Sequence, residues 1–387
     1  MPTLFYPFIA MLNRRTLRIK IMQSLFAKEQ GKEADFQLAL DHIITVFTPD
    51  LNSMKVQDKD LLKGQREVAL KLFDKKFKGE EVMESPDPRI EQAVEESLAL
   101  YKKLIKKDFD YFRKGTVTDV ERINVYYQLV LELVTVFASL AAQDKKVAAK
   151  NFTANPIVVA LRGNQDLKKA ILRSGGGWEQ HTTLVKGWYR DCIRPDKEFE
   201  QYIALESPDL DQHKSFAKHL VRKLILGNTP INSYFEAEDL HWMEDHEIVR
   251  SMVDKTLKSV TEKQVQIEIQ KLSLDWEDDT DFIEKLFTVA GKLDDEYHQL
   301  IAANTKNWEV DRLPLTDRVI LQMAIAEMIT FPNIPVKVTI NEYIEVAKRY
   351  STPKSRAFIN GILDVIAKEL KASGKIKKSG RGLLDNK

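Results

Sequence analysis

The chain has 387 residues, of which 43% are apolar and 30% are charged. This length predicts two or three domains, or one domain with a large insertion, and the composition excludes global disorder. The 59 basic and 58 acidic side chains give a net charge of +1. A protein that coats nucleic acid with an overall basic surface is therefore excluded, and any nucleic-acid site must be a local patch. The low numbers of glycine and proline, 15 and 13, favour long helices.

Cysteine content and hydropathy indicate the compartment. Cys192 is the single cysteine, so an intramolecular disulfide is excluded and a reducing cytoplasm is predicted. A nucleophilic role for Cys192 is the alternative, but no His/Asn constellation accompanies it. No stretch approaches the roughly 18 uncharged apolar residues of a membrane span. Residues 1–11 are interpreted as an N-terminal extension, with Met11 as an alternative start.

The first predicted helix covers residues 12–30. Leu17, Ile21 and Leu25 recur at the spacing of a buried stripe. The segment carries five basic residues against Glu29, so its net charge is +4. The local charge balance therefore differs from the global one.

Residues 31–275 are expected to form successive helices with short breaks. Helical periodicity covers 59–77, 90–110, 117–142 and 249–272. A short strand at 157–161 stays open, because that segment is apolar and rich in β-branched residues. No fixed-period repeat is present.

The strongest helical signals begin near residue 280. Thr280 or Asp281 is predicted to cap a helix, within a segment (275–296) that holds nine acids and two lysines. An almost wholly apolar helix over 317–329 is predicted to lie at the centre of a bundle. Another helix follows Pro335, and Thr352 with Pro353 caps the last one. The tail, 371–387, is expected to be flexible and basic.

Motifs at the two ends of the chain resemble the bacterial transcription antitermination factor NusB family. At the N-terminus the resemblance lies in Arg14-Arg15, Arg18 and the run from Gln23 to Phe26. At the C-terminus it covers about ninety residues, in the motifs Asp317-Arg318 to Glu327, Ile334-Pro335, Ile340-Asn341-Glu342, Ala347-Lys348, Ser355 and Phe358-Ile359-Asn360-Gly361-Ile362-Leu363-Asp364. The segment from Phe282 to Trp308, with Asp295 and Glu309, also resembles the preceding helix and loop of the family.

The resemblance implies an all-α, NusB-like fold of two helical subdomains with a large helical insertion. Residues 12–30 would be the first helix of the NusB-like domain, 31–275 the insertion or diverged region, and 276–370 the C-terminal bundle. It also implies a cytoplasmic, non-enzymatic factor without cofactor or metal. Such a factor binds boxA-like single-stranded RNA of ribosomal RNA operons together with ribosomal protein S10 (NusE). It supports the RNA polymerase elongation complex with other Nus factors.

The candidate RNA-binding residues combine guanidinium groups with aromatic rings. Arg14 and Arg18 are one helical turn apart, with Arg15 beside them, and guanidinium groups bind phosphates and stack on bases. Single-stranded RNA is held by such groups together with stacking platforms. The further candidates are Arg318 as a phosphate contact and the rings of Phe26, Tyr350 and Phe358. The alternative is that the two phenylalanines are core residues and the arginines a solvated face.

Other residues receive structural or partner-binding interpretations. Asn341, Asn360 and Gly361 sit inside helical patterns, where such residues cost stability. We interpret the asparagines as hydrogen bonds between helices and Gly361 as a close approach of two helices. Asp317 is a candidate for docking a basic ribosomal protein.

Two other functions remain as alternatives. The first is a NusB-like protein–protein scaffold in transcription or ribosome assembly, without RNA binding of its own. The second is an RNA methyltransferase, which requires a glycine-rich cofactor loop that this sequence lacks. The basic and aromatic run 101–114 could extend an RNA surface, or could be an ordinary solvated helix face.

Overall fold

The chain is all-helical in a computed structural model that describes residues 12–52, 54, 56–261, 266–293, 295–304 and 313–386. Helices make up 77% of the structure, and no strand occurs among these residues. The predicted all-α fold class is therefore confirmed. The N-terminal extension and the predicted motif residues Trp308 and Glu309 lie outside the described residues.

Sixteen α-helices occur in the described part of the chain. The first three are long: α1 (Arg14–Val46), α2 (Lys59–Phe77) and α3 (Pro88–Gln143). Shorter helices follow, in the order α4 (Lys150–Thr153), α5 (Pro156–Gly163), α6 (Gln165–Arg173), α7 (Thr182–Trp188), α8 (Lys197–Ile203), α9 (Leu210–His219), α10 (Thr229–Glu238) and α11 (Trp242–Ser259). The C-terminal set is α12 (Trp276–Gly291), α13 (Asp295–Asn304), α14 (Leu315–Thr330), α15 (Val336–Tyr350) and α16 (Pro353–Ala372).

The chain divides into two compact units. Unit 1 contains Thr118–Asp279 together with described residues 12–14, and unit 2 contains Arg15–Val117 and Thr280–Lys387. Residues 31–117, which the sequence analysis assigns to an insertion, thus lie in the same unit as the helices of the C-terminal bundle. The structural boundary falls inside α3.

Unit 1 is built on an aromatic core. Trp178, Trp188, Tyr234 and Phe235 form mutual edge-to-face and tilted ring contacts, and Trp242 stacks on Phe235. Such ring pairs add stabilisation to the burial of apolar area. Turns of π-helix at Tyr189–Ile193 and Leu220–Ile225 follow α7 and α9 directly.

Unit 2 contains the three-helix bundle expected at the C-terminus. Helices α14, α15 and α16 pack on one another, and α14 is buried on nearly all sides. The start of α1 contributes buried Leu17, Ile21 and Leu25. A second apolar cluster joins the end of α1 to α2 and the start of α3 around Phe73 and Val94. The first helix and the last three therefore belong to one folded unit.

Some predicted helix boundaries were wrong, each for a local reason. Helix α3 is continuous where two helices were predicted; it accommodates Gly115, and the buried Thr116 hydroxyl donates to the Phe112 carbonyl at 2.7 Å. Helix α12 begins at Trp276, because the Asp275 carboxylate accepts the Asp278 N–H at 3.1 Å. Residues 157–161 belong to helix α5, not to a strand.

The helix predicted over 249–272 also ends early, at Ser259. The sequence beyond it alternates apolar and polar residues from Ile267 to Gln270, a pattern of period two that does not fit a helix. Ile267 is buried there, and the Tyr127 hydroxyl accepts the Gln270 N–H at 2.9 Å. This extended segment is fixed to unit 1 by side chains.

The second half of α3 contradicts the expectation that no stretch of the chain is apolar enough for a membrane span. The helix Pro88–Gln143 is long and apolar enough to cross a membrane by length and composition, and more than half of its apolar window is buried. Tyr127, Val130, Leu131 and Phe137 are fully buried or nearly so. These contacts are those of a core helix.

The segment after α16 is packed, where a flexible tail was expected. Ile376 is buried, Lys378 Nζ donates to the Phe331 carbonyl at 2.9 Å, and the Ser379 N–H donates to the Pro332 carbonyl at 3.0 Å. A short 3₁₀ helix follows at Gly380–Asn386. The tail stays basic in charge.

Candidate nucleic-acid interface

The first arginines of α1 are at the surface, but each is paired with acids. Arg15 donates from Nε and from an Nη atom to the two carboxylate oxygens of Glu342 on α15, both at 2.9 Å, and remains 45% exposed. Arg14 pairs with Asp278 and, at 3.5 Å, with Asp279. The acidic segment 275–296 thus neutralises part of the basic start of α1.

Arg18 lies in the interior. Its side chain is 3% exposed, and its Nε and an Nη atom donate to the Glu327 carboxylate at 2.7 and 2.8 Å. Glu327 also accepts from the Thr339 hydroxyl at 2.9 Å and the Tyr343 hydroxyl at 3.1 Å. Burial alone lowers the pKa of Arg18, and the bond to Glu327 outweighs it, so the guanidinium stays charged. Arg18 presents no surface to RNA, and its role is to join α1 to α14.

The start of α14 meets the end of α15, and this junction collects several candidate residues. The Ser351 hydroxyl donates to the Asp317 carboxylate, which brings the neighbouring Arg318 and Tyr350 into one region. Arg318 is half-buried, and the guanidinium of Arg349 lies 5.4 Å from the centre of the Tyr350 ring. Phe358, in the second turn of α16, is also half-buried. A partly exposed ring beside cations is suited to base stacking.

Asp317 is buried, which contradicts its assignment as a docking residue. Its side chain is 1% exposed and is engaged by Ser351. A carboxylate at the first turn of a helix also interacts favourably with the helix dipole. Asp317 therefore holds the junction together from inside.

The structural interpretations of Asn341, Asn360 and Gly361 were wrong. All three lie on the exposed faces of α15 and α16, so they do not lock helices together. A Cβ added at Gly361 would meet nothing within 4 Å. The close helix approach occurs at Gly291 instead, where a Cβ would meet Phe109 at 3.0 Å and Leu25 at 3.2 Å.

Phe26 is half-buried on α1. The next residue toward the N-terminus, Leu25, is buried and faces Gly291 of α12. Phe26 therefore sits at the edge of the packed stripe, with part of its ring accessible.

Sequence reasoning missed four basic residues around this junction. They flank Tyr350 and Phe358, and all are exposed: Lys348, Arg349, Lys354 and Arg356. The signal in the sequence is four cations within nine residues, from Lys348 to Arg356, in a segment that also has strong apolar periodicity. Sequence reasoning also missed the Arg18–Glu327 pair, although Glu327 is an isolated charge inside an apolar helix.

Cys192 and possible metal ligands are the remaining features considered in the sequence analysis. The Cys192 thiol donates to the Asn228 side chain at 3.5 Å, and burial raises its pKa, so it stays protonated at neutral pH. Within the described ranges, no cluster of three or more His, Cys, Asp or Glu residues could hold a metal ion.

The fold and this surface define an all-helical protein with a basic, ring-bearing patch where α14, α15 and α16 meet. Residues 240–368 match the model of the NusB family. This part of the chain is therefore similar to the NusB family, as the C-terminal motifs predict. The match does not include the N-terminal motif at Arg14–Phe26, so that part of the resemblance stays a prediction.

Three relatives carry the description "Transcription antitermination protein NusB". The protein of Chloroherpeton thalassium is 39% identical over 140 residues, which are 36% of this chain and 63% of the relative. That of Salinibacter ruber is 43% identical over 104 residues, 27% of this chain and 65% of the relative. That of Koribacter versatilis is 46% identical over 92 residues, 24% and 63% of the two chains. The chain thus spans just under two thirds of the length of these relatives.

A solved structure of T. maritima NusB is also similar. It is 26% identical and covers 44% of this chain and 98% of its own, with a TM-score of 0.24.

Proposed function

We propose that this protein is a non-enzymatic transcription antitermination factor of the cytoplasm. The observation that carries the proposal is the similarity of residues 240–368 to the NusB family, with relatives that are antitermination proteins. The ion pairs of Arg15 and Arg18 with α15 and α14 support it, because they fix the basic start of α1 onto that part of the chain.

The ligand we propose is boxA-like single-stranded RNA, bound at the junction surface. We define the junction surface by Arg15, Arg318, Tyr350, Phe358 and the four exposed cations 348, 349, 354 and 356. Lysines and arginines attract the phosphates, and each stacked base contributes about 1–3 kcal/mol. Arg14 and Phe26 are further contacts in this proposal.

The proposed partners are ribosomal protein S10 and the RNA polymerase elongation complex with other Nus factors. S10 would bind together with the RNA, and the complex would then resist termination on ribosomal RNA operons. Because Asp317 is buried, exposed residues elsewhere must dock S10.

Equilibrium binding of a fluorescent boxA RNA, with and without S10, tests the proposal. The Arg14→Gln/Arg15→Gln variant should bind more weakly, and its slope of log K against log salt should fall by about 0.7 for each lost phosphate contact. The matched control is Arg173→Gln/Arg190→Gln, two exposed arginines of unit 1. If the wild type binds no boxA RNA even with S10, the proposal is wrong.

Glu342→Gln is a gain-of-binding variant for the same site. The Glu342 carboxylate accepts two hydrogen bonds from the Arg15 guanidinium. Removing the charge of Glu342 should therefore leave Arg15 free to bind a phosphate. The affinity for boxA RNA should rise several-fold, about the effect of one exposed ion pair. Glu67→Gln, an exposed glutamate of α2, makes the same charge change elsewhere.

The alternative is a scaffold in transcription or ribosome assembly without RNA binding of its own. The pairing of Arg14, Arg15 and Arg18 with carboxylates favours it, because paired guanidiniums attract phosphates less strongly. Binding of S10 without any RNA binding would identify this function.

A further inference from the structure

The middle of α3 has two chemically different faces. Between residues 101 and 116, the side chains that pack inward are Tyr101, Ile105, Phe109, Phe112 and Thr116, with Phe109 against Phe287 of α12. Arg113 reaches Glu284 of α12 at 3.3 Å, which fixes the rotation of the helix. The opposite face of this stretch is therefore held toward solvent.

The outward face carries a strip of lysines. Lys102, Lys103, Lys106 and Lys107 are all exposed and occupy two adjacent columns of the helix; we call these four the lysine strip. No ion pair joins any of them to a carboxylate of the described residues, whereas Arg14, Arg15 and Arg18 are all paired. At longer range, Lys107 is attracted to the buried carboxylate of Asp35, and the exposed acid Asp110 lies 3.8 Å from Arg113.

An aromatic ring ends the strip. Tyr111 follows Lys107 by one turn and is 69% exposed, and among the described residues its ring makes an edge contact with Phe112. Among the described residues, Tyr111 is the most exposed of the large aromatic side chains, and it lies next to four exposed lysines. Cations that track a backbone, with a ring on which any base can stack, form the general pattern of single-strand binding.

We propose that the lysine strip and Tyr111 form a second RNA-binding surface, which contacts transcript outside the boxA element without sequence preference. This rests on the proposed function, since it assumes that RNA is delivered by the junction surface. The strip lies outside residues 240–368, so it is a feature of the additional part of this chain. We choose RNA over an acidic peptide because an acidic peptide offers carboxylates but no bases to stack on Tyr111.

Two RNAs distinguish binding at the lysine strip from binding at the junction surface. One is a short RNA with the boxA element alone, and the other is the same element extended on both sides by oligouridine. The variant is Lys102→Gln/Lys103→Gln/Lys106→Gln/Lys107→Gln in the full chain. The control is Lys59→Gln/Lys63→Gln/Lys71→Gln/Lys75→Gln, four exposed lysines of α2 with the same total charge. Exposed substitutions of this kind change stability little.

The strip variant should bind the short RNA like the wild type and the extended RNA at least about tenfold more weakly, with a salt slope lower by up to about 2.8 for four phosphate contacts. The α2 control should bind both RNAs normally. Tyr111→Leu should weaken binding of the extended RNA about tenfold, and Tyr111→Phe should restore it, because stacking requires only the ring.

Equal affinity of the wild type and the strip variant for the extended RNA would overturn the inference and leave the proposed function intact. Failure of the wild type to bind either RNA, even with S10 present, would overturn both. Loss of binding to phosphatidylserine vesicles or to a polyglutamate peptide in the strip variant, with RNA binding unchanged, would assign the surface to a membrane or an acidic protein and also overturn it.

Discussion

The arginines at the start of α1 occupy three different electrostatic environments within five residues. Arg18 forms a buried ion pair with Glu327. Arg15 forms a surface ion pair with Glu342, and Arg14 forms ion pairs with two aspartates. Burial makes the Arg18 pair a fixed structural contact, whereas solvent screens the other two pairs and keeps them exchangeable. Of these three arginines, Arg14 and Arg15 are therefore the ones available to an anionic ligand.

Arg18→Met should lower the free energy of unfolding by about 3–5 kcal/mol, because it leaves the Glu327 carboxylate buried without its cation. Adding Glu327→Gln should recover part of this loss, since the amide carries no charge. Urea denaturation of the wild type, both single variants and the double variant measures the coupling. A loss below about 1 kcal/mol for Arg18→Met would show that the pair is not an interior contact.

The Arg15–Glu342 pair should make stability depend on pH in a defined direction. The hydrogen bonds from Arg15 hold the pKa of Glu342 below its ordinary value of 4.5. The pair therefore stabilises the fold fully above pH 4.5, and this contribution is lost as the pH falls through the lower pKa of the folded state.

The measurement is the free energy of unfolding of the wild type and of Arg15→Gln at neutral pH and in acid. The wild type should be more stable by no more than about 1 kcal/mol at neutral pH, because Arg15 is partly exposed, and the difference should vanish in acid. A difference that grows on acidification would contradict the assignment.

At the scale of elements, α14, α15 and α16 form the frame of the candidate site. Thr352 caps α16, and its hydroxyl accepts the Ser355 N–H at 3.2 Å, so α16 starts directly beside the end of α15. The Ser351–Asp317 bond closes the same junction from α14. The rings and cations of the junction surface are thus placed by helix ends, where small changes in capping would move them.

Gly361→Ala should stabilise the protein by about 0.5–1 kcal/mol, since alanine favours a helix interior and the structure leaves open space at this position. Thermal or urea unfolding measures the change. Gly291→Ala is the contrasting variant and should destabilise, because its Cβ would press on Phe109 and Leu25. Destabilisation by Gly361→Ala would instead indicate that a helix or partner packs there.

Helix positions could be predicted from the sequence, whereas the burial of individual polar side chains could not. Strong periodicity located α2 and the α14–α16 bundle to within a few residues, and the capping role of Thr352 was also predicted. Burial of individual polar side chains was not predictable, because Arg18 and Asp317 are buried by partners distant in sequence, at Glu327 and Ser351. Asn341, Asn360 and Gly361 show the converse: a costly residue inside a helix need not be buried. The periodicity of a sequence predicts which face of a helix is buried, but not which side chains pack against that face.

At the scale of the whole molecule, charge is arranged locally within a neutral chain. The net charge of +1 results from basic and acidic segments that partly neutralise each other, as Arg14 does with Asp278 and Asp279. Unit 2 carries the junction surface and the lysine strip, and unit 1 contributes most of the extra length. In the proposed function, RNA would be held through a few exposed cations, and its binding should depend strongly on salt.

The most direct test of the account is termination by purified RNA polymerase with S10 and the other Nus factors, on a template that carries boxA upstream of a terminator. We predict that the wild-type protein raises read-through, that a scrambled boxA abolishes the increase, and that Arg14→Gln/Arg15→Gln reduces it while Arg173→Gln/Arg190→Gln does not. Read-through that is unchanged by the wild-type protein, or that rises equally with the scrambled element, would contradict the proposed function.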